Sequence, residues 1–86
     1  MINKEENPVA WFMLVTNLEE AKEHLESLID DLVKGECVEE VDFGVYVGHI
    51  YAHLNRVWNS RNLDRQLADE EWSVFSQFPS DIRPVG

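Results

Sequence analysis

Val41-Asp42-Phe43-Gly44-Val45-Tyr46-Val47-Gly48 alternates apolar with polar or small residues in strict period two, which is the signature of a strand. The same residues also fit a helix. Phe43, Val47, Ile50, Leu54 and Val57 recur at steps of four and three, and this phase runs on into His53-Leu54-Asn55-Arg56, which has no strand character. The longer pattern decides, and it predicts a helix from Glu40 to about Arg61. Gly44 and Gly48 would each cost such a helix about 1 kcal/mol relative to alanine. With Ala52 they form a small-residue stripe, which makes sense if another backbone packs closely against it.

Upstream, Trp11, Leu14, Leu18, Ala21, Leu25, Leu28 and Leu32 alternate steps of three and four over three heptads, placing one seam along a single helix. Asn7-Pro8 is its entry, because asparagine caps free amides and proline suits the first helical position. Gly35 is its exit. Thr16-Asn17-Leu18-Glu19 also matches a capping box, so the rival reading is an α+β fold with short strands at 9–15 and 41–47. The unbroken seam through Trp11 and Leu14 favours one long helix.

Downstream, Asn62-Leu63-Asp64 opens a loop, and Asp69 is placed to cap a short third helix with Glu70 and Glu71 in its first turn. Trp72, Phe75 and Phe78 mark its expected buried side. Pro79 stops it, leaving an extended C-terminal tail from Ser80. The predicted fold is all-α, a single small domain over residues 1–86 built on an antiparallel hairpin of two long helices.

A loop of about five residues centred near Cys37 sets the register, so residues whose numbers sum to roughly 73 share a height. The two edges of the hairpin then differ. One carries Val15, Ile29, Tyr51 and Trp58, an apolar stripe too wide for two helices, which the third helix or a second copy of the chain must cover. The other gathers His24 with His49 at one height and Glu20 with His53 at another, and Arg56 a turn beyond.

His49 and His53 are spaced i, i+4, as a metal pair requires, but Ile50 stands where the zinc-protease motif needs glutamate. The alternative function is therefore a metal- or small-ligand-binding protein using Glu20, His24, His49 and His53, with zinc or another divalent ion; the bland account is edge histidines bonded to carboxylates, with no cofactor. Catalysis is not expected. Cys37, flanked by Glu36, Glu39 and Glu40, has no basic neighbour to activate it, and no phosphate loop or nucleophile elbow appears.

Seventeen acids against seven bases give a net charge of -10, which excludes a phosphate-neutralising surface for direct nucleic-acid binding. The charge is uneven. Residues 1–48 hold twelve acids and three lysines, whereas 49–86 hold five acids and four arginines. Glu19, Glu23, Glu26 and Asp30 recur along the outer face of the first helix, either a solvated surface or a recognition surface for a basic protein partner. Arg56, Trp58, Asn59 and Arg61 form a second dense hydrogen-bonding stretch, which either contacts a partner or ties down the tail. Arg61 is expected to pack its stem and meet Glu5 or Glu6 with its head.

The longest apolar run, Val9 to Val15, is far short of the roughly 20 residues that cross a bilayer, so no membrane role is expected. One cysteine and no secretory leader pattern predict a cytoplasmic protein. Because Val9–Val15 is apolar all round, the favoured function is a small acidic protein-interaction module that binds a partner and forms a homodimer.

Overall fold

The structure is a computed structural model that describes residues 1–86. It is all-helical: α1 (Pro8–Lys34) and α2 (Glu40–Asn59) form the antiparallel hairpin, and a 3-10 turn (Asp69–Glu71) leads into a one-turn α3 (Trp72–Phe75). The stretch 41–47 lies wholly within α2, so the strand alternative is not realised. Glu40 and Asp42 in its first turn complement the positive helix end. Built Cβ atoms on Gly44 and Gly48 would meet nothing within 4 Å, so no backbone of the same chain fills the small-residue stripe.

The ends of α1 are made differently from expectation. Pro8 takes the first turn, but the Asn7 side chain caps nothing. Asp64, 55 residues from Val9, accepts the Val9 and Ala10 amides at 2.9 and 3.0 Å, putting a carboxylate on the positive helix end. Asn7 has no amide left to cap there, because Asp64 already takes the Val9 and Ala10 hydrogens. At the other end Gly35 is extended, not left-handed, and a Cβ there would lie 2.9 Å from the Asp31 carbonyl oxygen. Close approach is what requires glycine.

The C-terminal segment is strapped across α2 by the donors of Asn55 to Arg61. Asn55 donates to the Ser76 carbonyl (2.8 Å), Arg56 to the Ser76 hydroxyl (2.7 Å), and Asn59 to the carbonyls of Phe75 and Gln77 (2.9 and 2.8 Å). Trp58 donates its indole hydrogen to Asp81 at 2.8 Å. Arg61 turns to Asp81 (3.7 Å) and the Trp58 carbonyl (2.6 Å), not to Glu5 or Glu6, because the Trp58 ring beneath its guanidinium (3.8 Å) holds it on that side. The turn into α3 begins at Ala68, one residue before the expected Asp69 cap. Glu71 reaches back to the Ala68 amide (2.9 Å) and pairs twice with Arg65 (2.7 and 3.0 Å), which holds its carboxyl at about 2, far below the usual range.

The core is thin. Nine of 86 residues are buried, and only Ala10, Ala21, Leu28 and Ile50 among them are hydrophobic. Trp72, Phe75 and Phe78 are not buried as expected, since α3 is too short to press a face onto the hairpin; Phe78 meets the edge of Tyr51 at 5.0 Å and is otherwise exposed. The accessible surface is 6814 Å², whereas a compact monomer of 10.0 kDa exposes about 5,200 Å². The excess is about 1,600 Å². The radius of gyration agrees, at 14.8 Å against about 12 Å for a compact chain of this length.

Candidate functional site

Two faces of the hairpin carry features that its own folding does not use. The first is apolar. Ala10, Asn17, Ala21 and Leu28 line the strip of α1 that presses on α2, and at 100° per residue the row Trp11, Leu18, Leu25 and Leu32 is rotated from that strip by about 70°. The heptad seam is therefore split. Its Ala21 and Leu28 face α2, whereas Leu18, Leu25 and Leu32 remain 48%, 42% and 45% exposed, with Val15 and Ile29 beside them. On α2, Phe43, Tyr51 and Leu54 are offset from the contact line by a similar angle in the same sense. On antiparallel helices such offsets point to one side, so both rows share one exposed face. The C-terminal segment covers only its far end, leaving a groove of about 420 Å³ between Tyr51, Leu54, Trp58 and the residues Phe78, Ile82 and Pro84.

The second face is the histidine edge, on the opposite side. The predicted register is the observed one: the His24 and His49 ring centroids lie 4.2 Å apart, and Glu20 sits 3.3 Å from His53 Nδ1. His53 stacks with His24 at 5.2 Å and with His49 at 5.0 Å. All three offer ring nitrogens within 4.8 Å of one another, from half-buried His24, exposed His49 and buried His53. A cleft of about 90 Å³ beside them is lined by His24, Ser27, Leu28, Asp31, Tyr46 and His49.

His53 is the anchor of this edge. It is 4% exposed, and burial first, then the Arg56 charge, hold its pKa below the ordinary value against the opposing pull of Glu20. Three groups surround its Nδ1: Asn17 Oδ1 at 3.1 Å, Glu20 Oε2 at 3.3 Å and Arg56 Nη2 at 3.0 Å. Asn17 donates its own amide to the Met13 carbonyl, so its oxygen must face the ring as an acceptor. Asn17 and Glu20 accept from a protonated Nδ1, whereas the Arg56 guanidinium, the nearest group, can only donate to a bare one, so the three contacts compete for the tautomer. Nε2 has no partner in the chain in either tautomer. Leaving a buried polar atom unpaired costs about 1–3 kcal/mol. Arg56 closes the edge from below, its guanidinium 4.7 Å over the Trp72 ring and its own pKa lowered chiefly by burial.

The remaining predicted site residues divide cleanly. Glu19, Glu23, Glu26 and Asp30 are exposed along the back of α1, with only a 3.9 Å contact from Lys22 to Glu26 among them. Arg56, Trp58 and Asn59 direct donors into the chain's own C-terminal segment, the tying role weighed for them above, and Arg61 pairs with Asp81 there at 3.7 Å while donating to the Trp58 carbonyl in α2. Asp64 and Ser76 escaped sequence reasoning, because each acts on residues far away in the chain and carries no local pattern, and Trp72, expected as part of a buried helix face, instead lies under the Arg56 guanidinium. Neither a family model nor a curated protein nor a solved structure matches this chain.

Proposed function

We propose that the chain is a small acidic binding module of the cytoplasm, not an enzyme, and that it assembles as a homodimer through the apolar face of its hairpin. The observation that carries this reading is the exposure of Leu18, Leu25 and Leu32, three members of one heptad seam left outside the chain's own helix pairing. A second copy matches them in spacing, since an isologous contact sets the same repeat against itself. The area is of the right size. A stable interface removes about 800 Å² or more from each partner, and the surplus surface of about 1,600 Å² accommodates it. Two hairpins joined in this way make a four-helix arrangement whose centre supplies the large apolar core the single chain lacks.

In this dimer Glu19, Glu23, Glu26 and Asp30 lie at the back of α1 and stay accessible to a basic protein partner. The lone free cysteine, Cys37, is exposed, which suits a reducing compartment. Sedimentation equilibrium tests the assembly. The wild-type chain is expected to sediment as a dimer at micromolar concentration, Trp11→Asp as a monomer because it buries an uncompensated charge, and Glu23→Lys as the wild type. A wild-type monomer near 10.0 kDa under those conditions removes the dimer.

A further inference from the structure

We propose that His24, His49 and His53 form a three-histidine centre for a borderline divalent transition metal, zinc foremost, in which Glu20 orients His53. Three independent features of the edge converge on this assignment. The first is geometric. Imidazoles bound tetrahedrally through bonds of about 2.0–2.1 Å bring their ring centroids to about 5 Å and their ligating nitrogens to about 3.4 Å. The centroids here stand 4.2, 5.2 and 5.0 Å apart with the rings nearly parallel, at 36°, 22° and 17°, so the exposed His49 and half-buried His24 side chains must turn to aim nitrogens now within 4.8 Å at one point. Two of the donors are one helical turn apart on α2 and the third faces them from α1, so the hairpin itself supplies the template.

The second is the state of His53. Its Nε2 is buried without a partner in the chain, whereas Nδ1 is surrounded by Arg56 Nη2, Asn17 Oδ1 and Glu20 Oε2 at 3.0, 3.1 and 3.3 Å. A carboxylate or carbonyl on the outer nitrogen of a ligating histidine fixes the tautomer and raises the basicity of the inner one. Burial alone would explain a neutral ring but not three polar groups gathered on one nitrogen while the other has none. Arg56 Nη2, which can only donate, stands 3.0 Å from the same Nδ1, so ligation through Nε2 requires the guanidinium to turn that hydrogen to Glu20.

The third is the donor chemistry. Three imidazoles suit zinc, cobalt, nickel or copper and offer nothing to calcium or magnesium, which take oxygen. Three ligands leave a fourth position, and the adjoining cleft lined by Asp31 and Tyr46 gives it access to water or to a small anion. A net charge of -10 raises the local concentration of cations around the site.

Metal-free, untagged protein titrated with Zn²⁺ is expected to take one ion per chain and to melt at a higher temperature, with no response to Mg²⁺. Co²⁺ should give the intense visible band of a tetrahedral nitrogen site. His24→Ala and His49→Ala should each lower the Zn²⁺ affinity tenfold or more with helicity unchanged by circular dichroism, and Glu20→Gln should lower it by about 10–100-fold. His49 is exposed, so its replacement tests the site without threatening the fold. The assignment is overturned if wild-type protein binds no Zn²⁺, or if the His24→Ala/His49→Ala double variant binds as tightly as the wild type. Dimerisation does not enter this test, because the stoichiometry is per chain and should be the same in the monomeric Trp11→Asp variant.

Discussion

Asp64 and Glu20 mark the two limits of what a single residue discloses. Glu20 was placed beside His53 by arithmetic alone, since a short loop makes heights along the two helices complementary and the pair sums to 73. The observed separation of 3.3 Å follows from that register. Asp64 could not be placed in the same way. It reaches the start of α1 from a loop whose path depends on how the C-terminal segment straps α2, and nothing near residue 64 encodes that path. Its role is nevertheless specific, because two amides of the first turn converge on one carboxylate oxygen. Asp64→Ala should therefore cost about 1 kcal/mol, the usual loss for a helix N-cap. For a domain of this size that lowers the melting temperature by about 4–8 °C. Asn7→Ala, which caps nothing, should leave it within a degree or two of the wild type; equal losses at both positions would mean that the local asparagine shares the cap.

At the scale of elements, period and phase were legible and rotation was not. A three-heptad seam identified α1, and continuation into His53–Arg56 outweighed eight residues of strand-like alternation in α2. The seam did not say which of its members face α2. Small and polar residues at Ala10, Asn17 and Ala21 let the helices approach closely along a strip beside the leucines, and that preference turned Leu18 and Leu25 outward. The third element misled for a related reason: four residues of α3 cannot bury an aromatic face, and the segment is held by hydrogen bonds from Asn55 and Asn59 instead. Gly44 and Gly48 remain the weak points of α2, since a side chain at either would meet open space. Gly44→Ala and Gly48→Ala should each strengthen α2 by about 1 kcal/mol. Thermal melts should rise accordingly, and a fall in either would reveal a close neighbour from a second copy at that stripe.

The whole molecule combines an elongated shape, a thin core and a large negative charge, and these constrain one another. In the proposed dimer a second copy on the apolar face brings its own charge of -10, so self-assembly would work against long-range repulsion. The proposed basic partner on the back of α1 would instead be drawn in by the same charge. The two interactions must therefore respond to salt with opposite signs. At about 0.15 M ionic strength the screening length is about 8 Å and at 1 M about 3 Å, so raising salt should tighten the dimer while slowing capture of the partner. Replacing Glu19, Glu23, Glu26 and Asp30 by lysine separates them further: it changes the protomer charge by +8, to -2, which should favour dimerisation and abolish the steering. Stability should hardly change, because exposed charges contribute little to it. Sedimentation at several salt concentrations reads the first response, and association kinetics with a model lysine-rich polypeptide reads the second. If the dimer weakens as salt rises, polar contacts and not the leucine rows hold it, and Trp11 and Leu25 are the wrong residues to perturb.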